Sequence, residues 1–265
     1  MMEFRQLITI GGLTVHYARA GQGQPLLFLH GMLGLVAFDS AFSFLAEKFD
    51  VIAPWAPGWG PAKDDLDRMD PGPLDLTLHH CDLLDALQLK RTHLAGTSVG
   101  AWMAAELAAI APARVECLVL VNPLGLWLDD TPGEDPFAVH PGMPSEILFS
   151  APGLRKKYIL EGRDKVDAHV DELLALRASA KFLWPIPDTG ISRRLHRIKA
   201  PTLVVTSALD RIVPAPYGPT WQAGIVGSQY MELVGTGHVP EMERPAVFAT
   251  VVSQFILAQP QTRAS

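Results

Sequence analysis

The chain has 265 residues, enough to bury a sizeable core in one large domain or two small ones, so a disulfide-stapled minidomain is excluded. Apolar residues make up 48% and charged residues 19%, and with 22 glycines and 22 prolines the composition is that of a loop-rich globular protein, below the level of low-complexity disorder. The net charge of −6 lacks the basic excess that phosphate backbones or anionic membranes attract, which argues against a nucleic-acid partner.

At the N-terminus, Met1-Met2-Glu3-Phe4-Arg5 carries an acid and does not lead into the continuous apolar run of a secretory signal. No uninterrupted apolar stretch approaches the length that crosses a bilayer, 118–128 being broken by Asn122 and Pro123, so no membrane insertion is expected and a cytoplasmic location is. Strands are predicted at 13–20, which opens the sheet, and at 26–29, joined by the turn-rich Gly21-Gln22-Gly23-Gln24-Pro25. Those glycines lead into a strand, whereas a dinucleotide loop leads into a helix; no cofactor is expected.

Residues 50–54, 93–97, 115–121 and 202–207 are short runs rich in Val, Ile and Leu, the pattern of strands buried on both faces in a parallel sheet. Helices are predicted over 74–87, with Leu76, Leu83, Leu84 and Leu87 on one stripe, and over the alanine-dense 101–111. Strands alternating with helices indicate an α/β fold. Pro54, Pro57, Pro61, Pro71 and Pro73 mark a long connection of the kind that carries binding loops. Cys81 and Cys117 lie in no metal-ligand spacing and read as buried small hydrophobes.

The alternation stops at 123–199, a stretch with no buried strand and with six prolines between Pro123 and Pro152. Its second half, 164–182, places Val166, Val170, Leu173, Leu174 and Arg177 at helical spacing opposite a charged face, which predicts a mostly helical lid. The expected organisation is a core of 1–122 and 200–265 interrupted by a cap of 123–199.

The chemistry concentrates at Gly96-Thr97-Ser98-Val99-Gly100, between the 93–97 strand and the alanine-rich helix. A nucleophile on so sharp a strand-to-helix turn has a strained backbone, and small flanking residues let the chain approach closely. A serine hydroxyl is a weak nucleophile near neutral pH and needs a general base, itself oriented by an acid. Asp210 follows the 202–207 strand, and His238 sits among Gly235, Gly237 and Pro240 beyond the last predicted strand, 230–234. The order Ser98, Asp210, His238 is that of one of the known triad arrangements.

Together with Leu29-His30-Gly31-Met32, Pro57-Gly58-Trp59-Gly60 and the ending His238 to Pro245, these residues resemble the α/β-hydrolase fold superfamily along nearly the whole chain. The resemblance implies a mostly parallel central sheet flanked by helices, with a helical cap insertion, and an oxyanion hole made by the backbone N–H groups of Met32 and Val99. It implies a cofactor-free serine hydrolase acting on a small carboxylic ester or lactone with an apolar part, His30 shaping its loop. Trp55 and Asn122 depart from the pattern, standing where relatives often carry aspartates, and Asn122 leaves Asp210 as the acid. Asp129 and Asp130 read as solvated loop carboxylates.

A carbon–carbon bond hydrolase of the meta-cleavage-product type shares the fold and triad, but typically has asparagine before the nucleophile and tryptophan after the histidine, where this chain has Thr97 and Val239. A low-turnover ligand sensor on the same fold is a further alternative. Trp127, Phe137, Phe149, Phe182 and Trp184 either line an apolar acyl pocket or pack the cap onto the core. Arg155, Lys156 and Lys157 read as a solvated basic face, and most of the nine histidines as structural.

Overall fold

In a computed structural model that describes residues 3–8, 12–36, 39–138, 144–184 and 188–260, the apolar runs of the sequence become the middle of one sheet. Among the described residues the sheet has eight strands: β1 (Glu3–Ile8), β2 (Thr14–Ala20), β3 (Gln24–Leu29), β4 (Phe49–Pro54), β5 (Thr92–Thr97), β6 (Val115–Val121), β7 (Thr202–Ser207) and β8 (Gln229–Leu233). Their order is β1-β2-β4-β3-β5-β6-β7-β8. Strand β2 pairs antiparallel with both β1 and β4, and every other pairing is parallel, the α/β-hydrolase architecture.

Alternation along each strand sorts side chains to two sides. Leu26, Phe28, Val51, Ala53, Val119, Val121, Leu203 and Val205 meet Phe42 and Leu45 of α1 (Asp39–Ala46) and Phe248, Val252 and Ile256 of the C-terminal helix Pro245–Leu257. Leu27, Leu29, Ile52, Leu94, Leu118, Leu120 and Val204 meet α2 (Pro73–Ala86), α3 (Val99–Ile110) and more of the chain beyond β6. Burying each such side chain stabilises the fold by about 1.5–3 kcal/mol, and helices on both faces leave every β5 and β7 residue dry. Parallel strands expose their C-terminal ends along one rim, and the loops leaving β3, β5 and β7 carry the candidate residues there.

The sheet opens one strand earlier than the sequence reading, with β1, whose short and polar run Glu3-Phe4-Arg5-Gln6 gives no buried-strand signal. Helix α1 likewise stands where no element was expected. Leu76, Leu83 and Leu84 face inward from α2 as predicted, and Leu87 is half-buried. Cys117 is buried, whereas Cys81 is half-buried. Met1 and Met2 of the N-terminal reading and Pro141 of the proline cluster lie outside the described residues. Among the described residues no helix is long and apolar enough to cross a membrane.

Between β6 and β7 the described residues hold no strand. They form a π-helical turn, Lys156–Leu160, and α4 (Lys165–Leu183), whose first turn is capped by Asp164 Oδ1 accepting from Val166 N (2.8 Å) and Asp167 N (3.1 Å). The inward face of α4 corrects the sequence reading. Val166, Val170 and Leu173 are 70%, 45% and 39% exposed and Arg177 is exposed, while Ala168, Glu172, Ala175, Ala178, Ser179, Phe182 and Leu183 are buried. Close approach decides it: a Cβ on Gly58 would lie 2.7 Å from Ala178 Cβ, so small residues must face that turn. Phe182 stacks on Trp59 one turn further on (6.3 Å, 11°), and Glu172 is turned inward by Arg155. After β7 come α5 (Tyr217–Gly224), the short α6 (Pro240–Glu243) and α7 (Pro245–Leu257).

Candidate active site

Strand β5 ends at Thr97 and α3 begins at Val99, so the whole reversal falls on Ser98, which adopts φ 56°, ψ −123°. A positive φ in a residue with a side chain costs about 1–3 kcal/mol and persists only where the surroundings enforce it. Here they do. A Cβ on Gly96 would lie 2.4 Å from Gly100 O, and one on Gly100 would lie 2.2 Å from Leu29 O and 2.3 Å from His30 O. Glycine at both positions lets the turn press against β3, and Ser98 N donates to Val121 O at 2.9 Å.

The structure brings Ser98, Asp210 and His238 together. Asp210 follows β7, and its Oδ1 accepts from Ile212 N (2.8 Å) and Val213 N (2.9 Å), which points Oδ2 at His238. His238 Nδ1 donates to Asp210 Oδ2 at 2.8 Å; a carboxylate accepts, so the ring proton sits on Nδ1 and Nε2 is bare. Ser98 Oγ donates to that nitrogen at 2.7 Å. The side chains of His238 and Asp210 are fully buried. In this tautomer the imidazole can accept the serine proton, and Asp210 can stabilise the resulting cation.

Val99 is the first residue of α3, so its N–H has no intrahelical acceptor. Met32 lies in the turn closed by Gly34 N donating to Gly31 O (3.0 Å), and Trp59 Nε1 donates to Met32 O at 2.8 Å. A Cβ on Gly31 would be 3.2 Å from Ser98 Cβ, which puts this turn against the Ser98 turn. His30 Nδ1 donates to Gly31 O (2.9 Å) and its Nε2 accepts from Ala56 N (3.0 Å), so both ring nitrogens brace the loop. Burial lowers its pKa to about 4, and it stays neutral.

Two supporting residues went unassigned in the sequence reading. Asn122, at φ 47° after β6, donates from Nδ2 to Ser207 Oγ (3.0 Å) and His238 O (3.0 Å), tying β6 to the histidine loop. Glu243 Oε1 accepts from Gly237 N and Ser150 N, both 3.0 Å, and Oε2 accepts from the Ser150 hydroxyl. His238 N donates to Leu148 O (2.8 Å), so the segment after β6 is built onto the histidine loop. The conspicuous signal was Glu243 recurring in the ending quoted above.

Two cavities of about 30 and 20 Å³ flank the site. The first is lined by Leu124, Trp127, Phe137, Leu183, Val213 and Tyr217 with Glu134 and Asp135 among others; the second includes Met32, Leu148, Ala175, Leu176 and Glu172, and Pro136 borders both. Neither lining includes Arg, Lys or His among the described residues. The cap aromatics therefore divide: Trp127 and Phe137 line a cavity, Phe149 and Phe182 pack against Tyr158 and Trp59, and Trp184 is 60% exposed. Arg155 is not solvated as expected; its guanidinium bonds both oxygens of buried Glu172 (Nε 3.1 Å, Nη2 2.5 Å). Arg211 spans Glu134 in the same way (2.7 and 2.8 Å). Among the described residues no cluster of His, Cys, Asp or Glu could hold a metal ion.

Residues 26–251 match the model of the alpha/beta hydrolase family. The chain is 29% identical to a 2-hydroxy-6-oxononadienedioate/2-hydroxy-6-oxononatrienedioate hydrolase of Pseudomonas putida, with 92% of each chain covered. Among solved structures, a serine hydrolase from the polyaromatic hydrocarbon-degrading Cycloclasticus zankles superposes with a TM-score of 0.78 at 20% identity, covering 96% of this chain and 98% of that one. A meta-cleavage product hydrolase from Pseudomonas fluorescens IP01 gives 0.75 at 18%, covering 96% and 97%.

Proposed function

The chain belongs to the alpha/beta hydrolase family, and from that premise we propose that it cleaves an uncharged carboxylic ester or lactone through an acyl-enzyme on Ser98. The observation that carries the reading is the unbroken hydrogen-bond path from Asp210 through His238 to a strained Ser98. His238 Nε2 takes the Ser98 proton as Oγ attacks the carbonyl carbon. The alkoxide then faces the Met32 and Val99 amides, where each well-aimed donor contributes about 2.7–4 kcal/mol. His238 returns the proton to the leaving alcohol, and a water deprotonated by the same ring releases the acid.

The lining favours a neutral, apolar substrate, because it holds no Arg, Lys or His among the described residues, and Arg155 and Arg211 are engaged by the lining residues Glu172 and Glu134. Residues 123–199 act as a cap over a core of 1–122 and 200–265. Cavities of about 30 and 20 Å³ hold roughly a water each, so substrate entry requires the cap to shift.

A second reading, carbon–carbon bond hydrolysis, is favoured by the relative named above, whose substrates are dienedioates. A panel of p-nitrophenyl esters from acetyl to dodecanoyl, with lactones and a vinylogous diketone acid, separates the two. Multiple turnovers of neutral esters support our reading. Preference for the anionic diketone, or a single burst of lasting acylation, overturns it.

A further inference from the structure

A second carboxyl lies behind the Ser98–His238 pair. Glu241, three residues after His238 on α6, is turned inward and buried. The hydroxyl of Thr97, the residue leading into Ser98, donates to Glu241 Oε1 at 3.1 Å, while Oε2 is buried with no hydrogen-bond partner among the described residues. Thr97 Oγ1 also lies where a Cβ on Gly31 would come within 3.1 Å, so this contact sits beneath both the nucleophile turn and the turn that carries Met32. Its neighbour Glu243 differs: both oxygens are used on Gly237 and Ser150.

A buried carboxyl with an orphan oxygen is a costly way to hold one threonine, since a neutral side chain could fill that space with less desolvation. A charge there is useful where a cation forms, and one forms when His238 takes the Ser98 proton. We propose that Glu241 is a positioning residue for this pair: it fixes Thr97 beneath the nucleophile turn, and as a carboxylate it stabilises the imidazolium of His238. It takes no proton from either partner; the Ser98 proton stays on His238 Nε2 until the leaving group receives it.

Burial raises the Glu241 carboxyl to about 7, opposed by His238 and Thr97 and reinforced by Glu243, the charged groups acting on it being His238 and Glu243. The carboxylate therefore gains population as the pH rises through about 7.

The proposal rests on Ser98 and His238 forming a reactive pair and not on the identity of the substrate, so the test reads that pair directly. Ser98 phosphonylation by a fluorophosphonate is timed from about pH 5 to about pH 9, with Ser98→Ala as the blank. Glu241→Gln keeps the shape and an acceptor for Thr97 but removes the charge. Its maximal rate is expected to fall about 3- to 10-fold and its midpoint to move about half to one unit acidward. Thr97→Val is expected to slow labelling and Thr97→Ser to restore it. A folded Glu241→Gln with the parent's rate and midpoint overturns the proposal; if that variant does not fold, a Thr97→Val indistinguishable from the parent does so. If the parent itself is not labelled, the reading of Ser98 as an active nucleophile fails instead. The NMR titration of the His238 ring then decides on Glu241, an acidward shift in Glu241→Gln supporting the proposal and no shift overturning it.

Discussion

Helix α3 begins at the Ser98 turn and α4 borders both cavities, but they are held in opposite ways. Helix α3 is buried from Val99 to Ala109, and its first turn presses backbone on backbone, with Gly100 against the carbonyls of Leu29 and His30. Helix α4 keeps Val166, Val170 and Leu173 in water and docks through side chains: Ala178 on Gly58, Phe182 on Trp59, Lys181 Nζ on Leu66 O (2.7 Å) and Glu172 on Arg155. Contact between main chains leaves no volume to vary, whereas side-chain contacts can be exchanged. The Ser98 turn is thus fixed by main-chain contact, whereas the α4 wall of the cavities is held by side chains that can be exchanged.

The largest effect is expected at Gly100→Ala. In an exposed helix this change stabilises by about 1 kcal/mol. Against Leu29 O and His30 O it should cost above about 4 kcal/mol in urea unfolding, and a variant as stable as the parent would erase the distinction. Arg155→Met comes next, because it removes the guanidinium that bonds both oxygens of the buried Glu172 carboxylate. A loss of about 3–5 kcal/mol is expected, seen first as proteolysis within 150–184, with much of it recovered in Arg155→Met/Glu172→Leu.

Acid should loosen the layer beneath α4. The 3₁₀ turn Gly60–Arg68 packs against α4, and burial in α2 lowers His79 to about 4, partly offset by Asp65 of that turn. The folded pKa is below the unfolded value of about 6.5, so the unfolded chain binds the proton first. Stability is then independent of His79 above pH 6.5 and declines as pH falls from there towards 4, by about 3 kcal/mol. Urea midpoints measured against pH should show this slope, and His79→Leu should flatten part of it. The smallest effect is Val166→Ser or Val170→Ser on α4, within about 0.5 kcal/mol, while Val119→Ser in the sheet costs several times more.

The same division governs what could be read from the sequence. Buried strands β4, β6 and β7 were legible because a strand covered on both faces is rich in Val, Ile and Leu, and the Ser98 turn at the end of β5 because its geometry requires Gly96 and Gly100. Asp210 and His238 followed from their strand-end positions. The face of α4 was misread because its docking surface is alanine, whose small size matters only once Gly58 and Trp59 lie opposite. Strand β1 and helix α1 escaped because an edge strand and a short helix bury too little to leave a period. Asn122 braces loops through hydrogen bonds between segments far apart in the chain, which no local pattern records, and Glu243, though it stands in the ending His238 to Pro245, shows its partner Ser150 only in the fold.

The central claim is that Ser98 carries the substrate's acyl group during turnover. Acid-quenching a reaction with a slow p-nitrophenyl ester and mapping the added mass by peptide mass spectrometry tests it most directly. One acyl adduct is expected, on Ser98, absent from Ser98→Ala together with the activity. Hydrolysis that continues undiminished in Ser98→Ala, or an adduct on another residue, would contradict it.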